Sequence, residues 1–248
     1  MTRGRLSSRV AGLVILLGAG AAAPVRAQSF TEGFNDVTML TGAGWVLQNA
    51  STPGGSSGWF QGVPLPDEFD AQASPVSSYI AANFHNAGNP NASADTISNW
   101  LMSPVRTFQS GDMISFWTRT ESGTVTFPDR LQLLLSLNGA STNTGGSPTT
   151  KGDFSVLLEV NPSYLTSGPN SYPTNWQQYM VILGGIVSPT QGRFALRYFV
   201  ENGGPGGTRS NYIGIDSLTY TAIPEPAALL LLAAPAILIR KRRPISKP

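Results

Sequence analysis

The chain has 248 residues, of which 41% are hydrophobic and none is cysteine. The absence of cysteine excludes disulfide bonds, thiolate nucleophiles and cysteine-ligated metal sites. The formal net charge is +2, but residues 28–222 carry seven Lys and Arg against thirteen Asp and Glu, a net charge of −6. The body of the chain therefore lacks the basic surface of a nucleic-acid-binding protein.

The N-terminus has the layout of a secretion signal. Three arginines precede an uncharged apolar run at residues 10–23, and small residues stand just before the bond between Ala27 and Gln28. At about 1.5 Å per residue this run is too short to span a hydrocarbon core of about 30 Å, which disfavours a permanent anchor. We expect residues 1–27 to be a signal peptide that signal peptidase removes between Ala27 and Gln28.

Residues 28–222 show the alternation of a β-domain. In residues 129–138 every second residue from Leu131 to Leu137 is a leucine on one face of a strand, and Leu134 alone interrupts the polar face. Residues 193–201 repeat this pattern, which indicates a sheet packed on a partner sheet. The predicted fold is all-β, an antiparallel β-sandwich, with strands at 29–34, 44–48, 78–84, 113–119, 129–138, 154–160, 176–183, 193–201 and 212–220.

Long connections rich in Gly, Pro, Ser, Thr or Asn separate these strands, at residues 50–58, 138–152, 161–175 and 201–210. Such loops either bind a ligand or are tolerated at the edge of a sandwich, and we favour tolerance. The sequence of residues 54–58 matches the G-x-S-x-G motif, but the preceding strand and following helix of a nucleophile elbow are missing. The sole histidine, His85, precedes a turn. We expect neither to be catalytic.

Aromatic residues near the loops are candidates for ligand contact, because a flat ring offers apolar area to the face of a sugar. We single out Trp59, Phe60 and Trp176 on this ground. Most aromatic residues of such a domain belong to the core, where we expect Trp45, Trp100 and Trp117.

The C-terminus repeats the layout of the leader in reverse. Pro224, Glu225 and Pro226 precede a thirteen-residue apolar run at 227–239, and a basic cluster follows it, Arg240, Lys241, Arg242 and Arg243. This run is marginal as a membrane span, which favours transient over durable insertion, with the basic cluster on the cytoplasmic side.

This tail resembles the PEP-CTERM sorting signal of Gram-negative bacteria over residues 223–248. The resemblance implies recognition and cleavage by an exosortase, an integral-membrane cysteine protease. It also implies a protein that is exported, transiently anchored in the membrane, and then placed at the cell surface or in the extracellular matrix.

The domain between the two ends resembles the choice-of-anchor J family, which is related to the cleaved-adhesin and MAM-like jelly rolls. The domain is placed at residues 28–222, the resemblance runs from about Phe30 to Ala222, and its most specific segments are SNWLMSP at 98–104 and YIGID at 212–216. It implies a jelly-roll sandwich, which we expect to be flanked by an N-terminal signal helix and a C-terminal hydrophobic helix.

The resemblance also implies a structural calcium ion held by carboxylates near the first and last strands, here Glu32 and Asp216. If both side chains point inward, a divalent cation would relieve their repulsion. An alternative calcium site is the acidic stretch at residues 67–70, which we interpret as a solvated turn because it lacks EF-hand spacing. No residue demands any other cofactor.

Three classes of function remain open. The first is a surface or matrix module that binds exopolysaccharide or a surface protein without turnover. The second is a purely structural matrix component. The third is a polysaccharide-degrading enzyme, for which paired carboxylates would suffice. We expect the first class, a non-catalytic adhesin-like protein.

Overall fold

This computed structural model describes residues 28–88 and 95–223, which contain twelve β-strands and two short 3₁₀ helices. The predicted signal peptide, the sorting residues from Pro224 onward and the helices expected in them lie outside the described residues. Within the described ranges no helix is both long and apolar enough to cross a membrane. The 3₁₀ helices are Val37–Met39 and Phe84–Asn86.

The strands form two six-stranded sheets. The first contains β1 (Phe30–Glu32), β3 (Phe60–Gln61), β4 (Ile80–Asn83), β7 (Met113–Thr120), β10 (Gln177–Ile182) and β12 (Tyr212–Thr221). The second contains β2 (Val46–Asn49), β5 (Asp95–Met102), β6 (Arg106–Phe108), β8 (Leu131–Ser136), β9 (Ser155–Val160) and β11 (Thr190–Gly203).

Neighbouring strands are antiparallel in both sheets. The first has the order β10-β7-β12-β4-β3, with β1 also paired to β12, and the second has the order β2-β5-β11-β8-β9, with β6 also paired to β11. The predicted antiparallel sandwich is confirmed, and each of the nine predicted strands overlaps an observed one. The strands β3, β5 and β6 were not predicted.

The core lies between the two sheets and follows the predicted alternation. Leu131 and Leu133 on β8 are fully buried in it, together with side chains of the first sheet such as Phe116 and Ile215. Because β8 ends at Ser136, Leu137 lies beyond the ladder and is 40% exposed. The hydrophobic effect of this shared core holds the two sheets together.

The outer face of the second sheet is covered by the loop between β8 and β9. Leu134 is fully buried on this face in a cluster with Trp100 and Phe154, and the Arg197 side chain donates to the carbonyl oxygen of Pro148 in the loop. This loop belongs to the fold, which corrects the expectation that residues 138–152 are merely tolerated at an edge. It also explains why Leu134 breaks the polar face.

Part of the first sheet's outer face is covered as well, by the loop between β3 and β4. Phe69 in this loop stacks on Tyr79 at 5.1 Å and is 3% exposed. A methyl group added at Gly214 on β12 would lie only 2.7 Å from the Phe69 ring, so this position requires glycine. The acidic stretch 67–70 is therefore anchored on the sheet by Phe69 and is not a freely solvated turn.

Candidate functional site

Two loops meet at one end of the sandwich and enclose a groove. One follows β7, which ends at Thr120, and the other precedes β10, which begins at Gln177. The groove has a volume of about 690 Å³ and is lined by residues 123–125, 166–169 and 171–177. We call it the loop groove.

Arg119, near the end of β7, ties the two walls of the loop groove together. Its guanidinium donates to the Ser122 hydroxyl at 2.6 Å on one wall and to the Thr174 carbonyl oxygen at 2.7 Å on the other. The same group lies 4.3 Å above the Phe69 ring. Burial lowers the pKa of Arg119, but arginine is so basic that it remains charged and keeps its hydrogen bonds at neutral pH.

The second wall is anchored by Tyr172 and Trp176. The Tyr172 ring is 1% exposed, and its hydroxyl shares a hydrogen bond of 2.7 Å with the Thr118 hydroxyl. Trp176 is half-buried, makes edge-to-face contact with Phe69 at 5.6 Å, and donates its indole N–H to the Asp70 carbonyl oxygen at 2.9 Å. These contacts fix the indole in place before a ligand arrives, which reduces the entropy lost on binding.

The lining of the loop groove carries no charged side chain. It consists of threonine, serine, asparagine and glutamine side chains, glycine and proline residues, the aliphatic Val125, and the aromatic Tyr172 and Trp176. Hydroxyl and amide groups exchange hydrogen bonds with neutral hydroxyls, and an aromatic ring packs on an apolar face. The groove therefore suits a neutral polyhydroxylated ligand and offers no arginine or lysine to a phosphate or carboxylate.

The structure separates the three aromatic residues predicted to contact a ligand. Trp59 is 7% exposed and belongs to the core, so its expected role as a ligand contact is wrong. Phe60 packs on Tyr212 at 5.8 Å over the first sheet and is not among the residues that line the groove. Trp176 alone of the three lines the loop groove.

A second tryptophan also differs from expectation. Trp45 and Trp100 are buried as predicted, but Trp117 is half-buried on the outer face of the first sheet, opposite Gln178 of the edge strand β10. The alternation within β7 explains this, because Phe116 and Thr118 point to the core side and are fully buried. Trp117 is therefore not a core residue.

A carboxyl pair lies beside the groove. Glu68, in the loop that carries Phe69, is within hydrogen-bonding distance of Glu121, and Glu121 accepts a hydrogen bond of 2.6 Å from the Asn211 amide. Burial, with repulsion from Glu121, raises the pKa of Glu68 to about 7. Two carboxyl groups in hydrogen-bonding contact are closer together than the pair of a glycosidase, whose carboxylates stand about 5 Å or more apart.

The two predicted calcium ligands come from adjacent strands. Glu32 on β1 stands opposite Leu218 on β12, two residues from Asp216. Asp216 is 1% exposed, and its carboxylate accepts from the backbone amides of Ala73 at 3.1 Å and Ser217 at 2.5 Å. Burial raises the pKa of Asp216.

These contacts fit a calcium ion only in part. Glu32 accepts from the Phe34 amide at 2.9 Å, and in the described residues no three or more His, Cys, Asp or Glu side chains are grouped as metal ligands. Two carboxylates would need several carbonyl oxygens or waters to complete a calcium shell of six to eight ligands. The calcium site stays a prediction.

Sequence reasoning missed most of the loop groove, although its position was marked by one feature. Residues 161–175 were singled out as a long polar loop, and most of one wall of the groove lies within them. No periodicity connects that loop to residues 123–125, because only the pairing of β7 with β10 brings the two loops to the same end.

Comparisons with known proteins extend the description of the fold. No protein-family model and no curated protein matches the sequence. The K1 cleaved adhesin domain of Lys-gingipain from Porphyromonas gingivalis W83 aligns with 79% of this chain and 99% of its own, at 19% identity and a TM-score of 0.50. The K2 cleaved adhesin domain of Lys-gingipain aligns with 79% of this chain and 98% of its own, at 20% identity and a TM-score of 0.47.

At this identity the likeness to the K1 domain concerns the fold alone. It agrees with a sandwich of two antiparallel sheets packed face to face around a shared core. The body of the chain is therefore a β-sandwich with an adhesin-like jelly-roll fold.

Proposed function

We propose that this chain is an exported surface protein whose sandwich binds a neutral polysaccharide in the loop groove without turning it over. The observation that carries the proposal is the uncharged groove, lined by hydroxyl and amide groups and by the fixed indole of Trp176. Its volume of about 690 Å³ lies within the usual range of ligand sites, about 300–1,000 Å³. A surface protein is a second possible occupant.

A charge placed in the groove tests the proposal without disturbing the core. Thr124 is exposed and lines the groove, whereas Thr149 is exposed on the loop that covers the second sheet. Thr124→Lys should weaken retention in gels that contain neutral glucans, xylans or the producing cell's own surface polysaccharide, because the lysine fills and charges the groove. Thr149→Lys is the matched control and should be retained like the wild type.

The possible results separate the three classes of function. Retention that is lost only in Thr124→Lys supports polysaccharide binding in the loop groove. Equal migration of all variants with and without polysaccharide would contradict the proposal and favour a purely structural matrix component. Release of reducing ends from a retained polysaccharide would instead indicate an enzyme.

We infer that the two ends of the chain direct export and sorting. The leader ends at Ala27, and an exosortase-type protease would recognise Pro224, Glu225 and Pro226 while the apolar run lies in the membrane and the basic cluster stays in the cytoplasm. The support for this inference is the order of features in the sequence.

Intact-mass spectrometry of the surface-extracted protein tests the processing. The expected mass is that of a chain that begins at Gln28 and lacks residues 237–248. Deletion of residues 240–243 should leave the tail uncut. A mature protein that retains residues 237–248 would refute cleavage of the tail.

A further inference from the structure

The end of the sandwich opposite the loop groove is where the chain leaves for its C-terminal tail. β12 ends at Thr221, which pairs with Met113 at the start of β7, and Met113 in turn pairs with Ile182 at the end of β10. The groove lies at the other ends of the same strands. We call this opposite end, formed by residues 109–112, 182–188 and 222–223, the exit pole.

The last described residue is held firmly against the exit pole. The Ile223 amide donates to the Asp112 carboxylate at 2.9 Å, and the Gln109 side chain donates to the Ile223 carbonyl oxygen at 2.7 Å. Gly111 allows this close approach, because a methyl group there would lie 2.8 Å from the Ile223 side chain. The point at which the tail begins is therefore fixed on the domain.

The tether from this point to the apolar run is short. Only residues 224–226 separate Ile223 from the run at 227–239, and four Cα spacings reach at most about 14 Å. A run of thirteen residues would also cover only about 20 Å as a helix, against a hydrocarbon core of about 30 Å. A tail lying in the bilayer would therefore hold the exit pole against the membrane surface.

The exit pole has the surface that such a position requires. Val187 is fully exposed, Ile182 is 64% exposed and Ile223 is 39% exposed. Residues 109–111 and 182–188 contain no charged residue, and Asp112 is fully buried beneath them. Exposed aliphatic side chains enter the headgroup region at little desolvation cost.

We propose that the exit pole is a lipid-contacting surface that seats the sandwich on the outer face of the membrane while the tail is inserted. Val187 and Ile182 enter the interface, and the loop groove points away from the cell, one strand length of about 20 Å or more from the lipid. The proposal rests on the insertion of the tail inferred above, but not on cleavage or on polysaccharide binding.

The absence of cysteine makes a direct test possible, because one introduced thiol is unique. The exported chain with its tail is reconstituted into vesicles of phosphatidylethanolamine and phosphatidylglycerol that contain nitroxide-labelled lipid. An environment-sensitive fluorophore is attached either at Val187→Cys or at Leu165→Cys. Leu165 is the matched control, since it is an aliphatic residue 41% exposed in the loop between β9 and β10, at the groove end.

The emission of the fluorophore at position 187 should shift to shorter wavelength, and the nitroxide should quench most of it. The fluorophore at position 165 should keep the emission wavelength and the intensity that it has without vesicles. Both labelled chains should float with the vesicles, which reports insertion of the tail independently. Flotation with equal emission at the two positions would overturn the lipid-contacting pole alone. Failure to float would overturn tail insertion and this proposal together.

Discussion

Arg197 is the buried cation on which the cover of the second sheet depends. Its side chain is fully buried, and the guanidinium donates to the Ser98 hydroxyl at 3.0 Å, the Gln132 side-chain oxygen at 3.1 Å and the Pro148 carbonyl oxygen. It also lies 3.9 Å above the Phe199 ring. Burial, with repulsion from a neighbouring arginine, lowers the pKa of Arg197 to about 9, so the group stays charged at neutral pH.

Two substitutions of Arg197 should differ in cost. Arg197→Met keeps most of the volume and removes the buried charge, but it leaves the Gln132 side-chain oxygen without this donor, which costs about 1–3 kcal/mol. The relief of desolvation offsets part of this loss, so we expect about 1–2 kcal/mol. Arg197→Ala also leaves a cavity beneath the loop, and we expect about 3–5 kcal/mol.

Urea unfolding of both variants measures these costs, and hydrogen exchange measures the loop. The amides of residues 141–152 should exchange faster in Arg197→Met, because the bond to Pro148 is lost. Lys151→Met removes an exposed cation from the same loop and should change stability by less than about 0.5 kcal/mol. Equal costs for the two Arg197 variants, or unchanged exchange in the loop, would contradict the argument.

Three further predictions follow from buried groups. Trp59→Ala should lower the free energy of unfolding by about 3–5 kcal/mol, since Trp59 is a core residue; a urea midpoint like that of the wild type would contradict its burial. Burial raises the pKa of Asp129 from 3.8 to about 6. Between these two pH values the folded state holds a proton that the unfolded state has lost. The free energy of unfolding should therefore fall by about 3 kcal/mol as pH rises from about 4 to about 6. Asp129→Asn should remove this part of the pH dependence of urea unfolding, and an unchanged slope would refute the assignment. If Glu32 and Asp216 bind calcium, a calcium concentration of about 100 times Kd should stabilise the wild type by about 2.7 kcal/mol but should not stabilise Glu32→Gln. Calorimetry in which calcium does not raise the melting temperature of the wild type would rule out the site.

The clearest predicted strands are those in which polar and apolar residues alternate. In β8 and β11 the alternation is clear, and the predicted strands overlap the observed ones. The strand β5 was missed because large apolar residues lie on both of its faces: Ile97 and Leu101 belong to the core, while Trp100 and Met102 lie under the loop that covers the second sheet. A strand with apolar residues on both faces has no clear period of two to detect.

The candidate site was predictable only in outline. The length and composition of residues 161–175 marked a loop of interest, and Trp176 was named as a candidate. Trp59 and Trp117 were assigned to the wrong environments, because a tryptophan near a loop and a tryptophan within a strand carry no sign of which way the ring points. Strand register decides that, and register depends on partners far away in the sequence.

By itself the sequence determined the fold class, the acidic charge of the body of the chain and the order of its segments, because alternation and charge are local properties of the chain. Only the tertiary structure decided which loops cover the sheets, which loops meet to form the groove, and that the groove and the exit of the tail lie at opposite ends. The physical reason is that these features depend on pairings between distant strands, such as β7 with β10 and β12, and no short stretch of sequence encodes them.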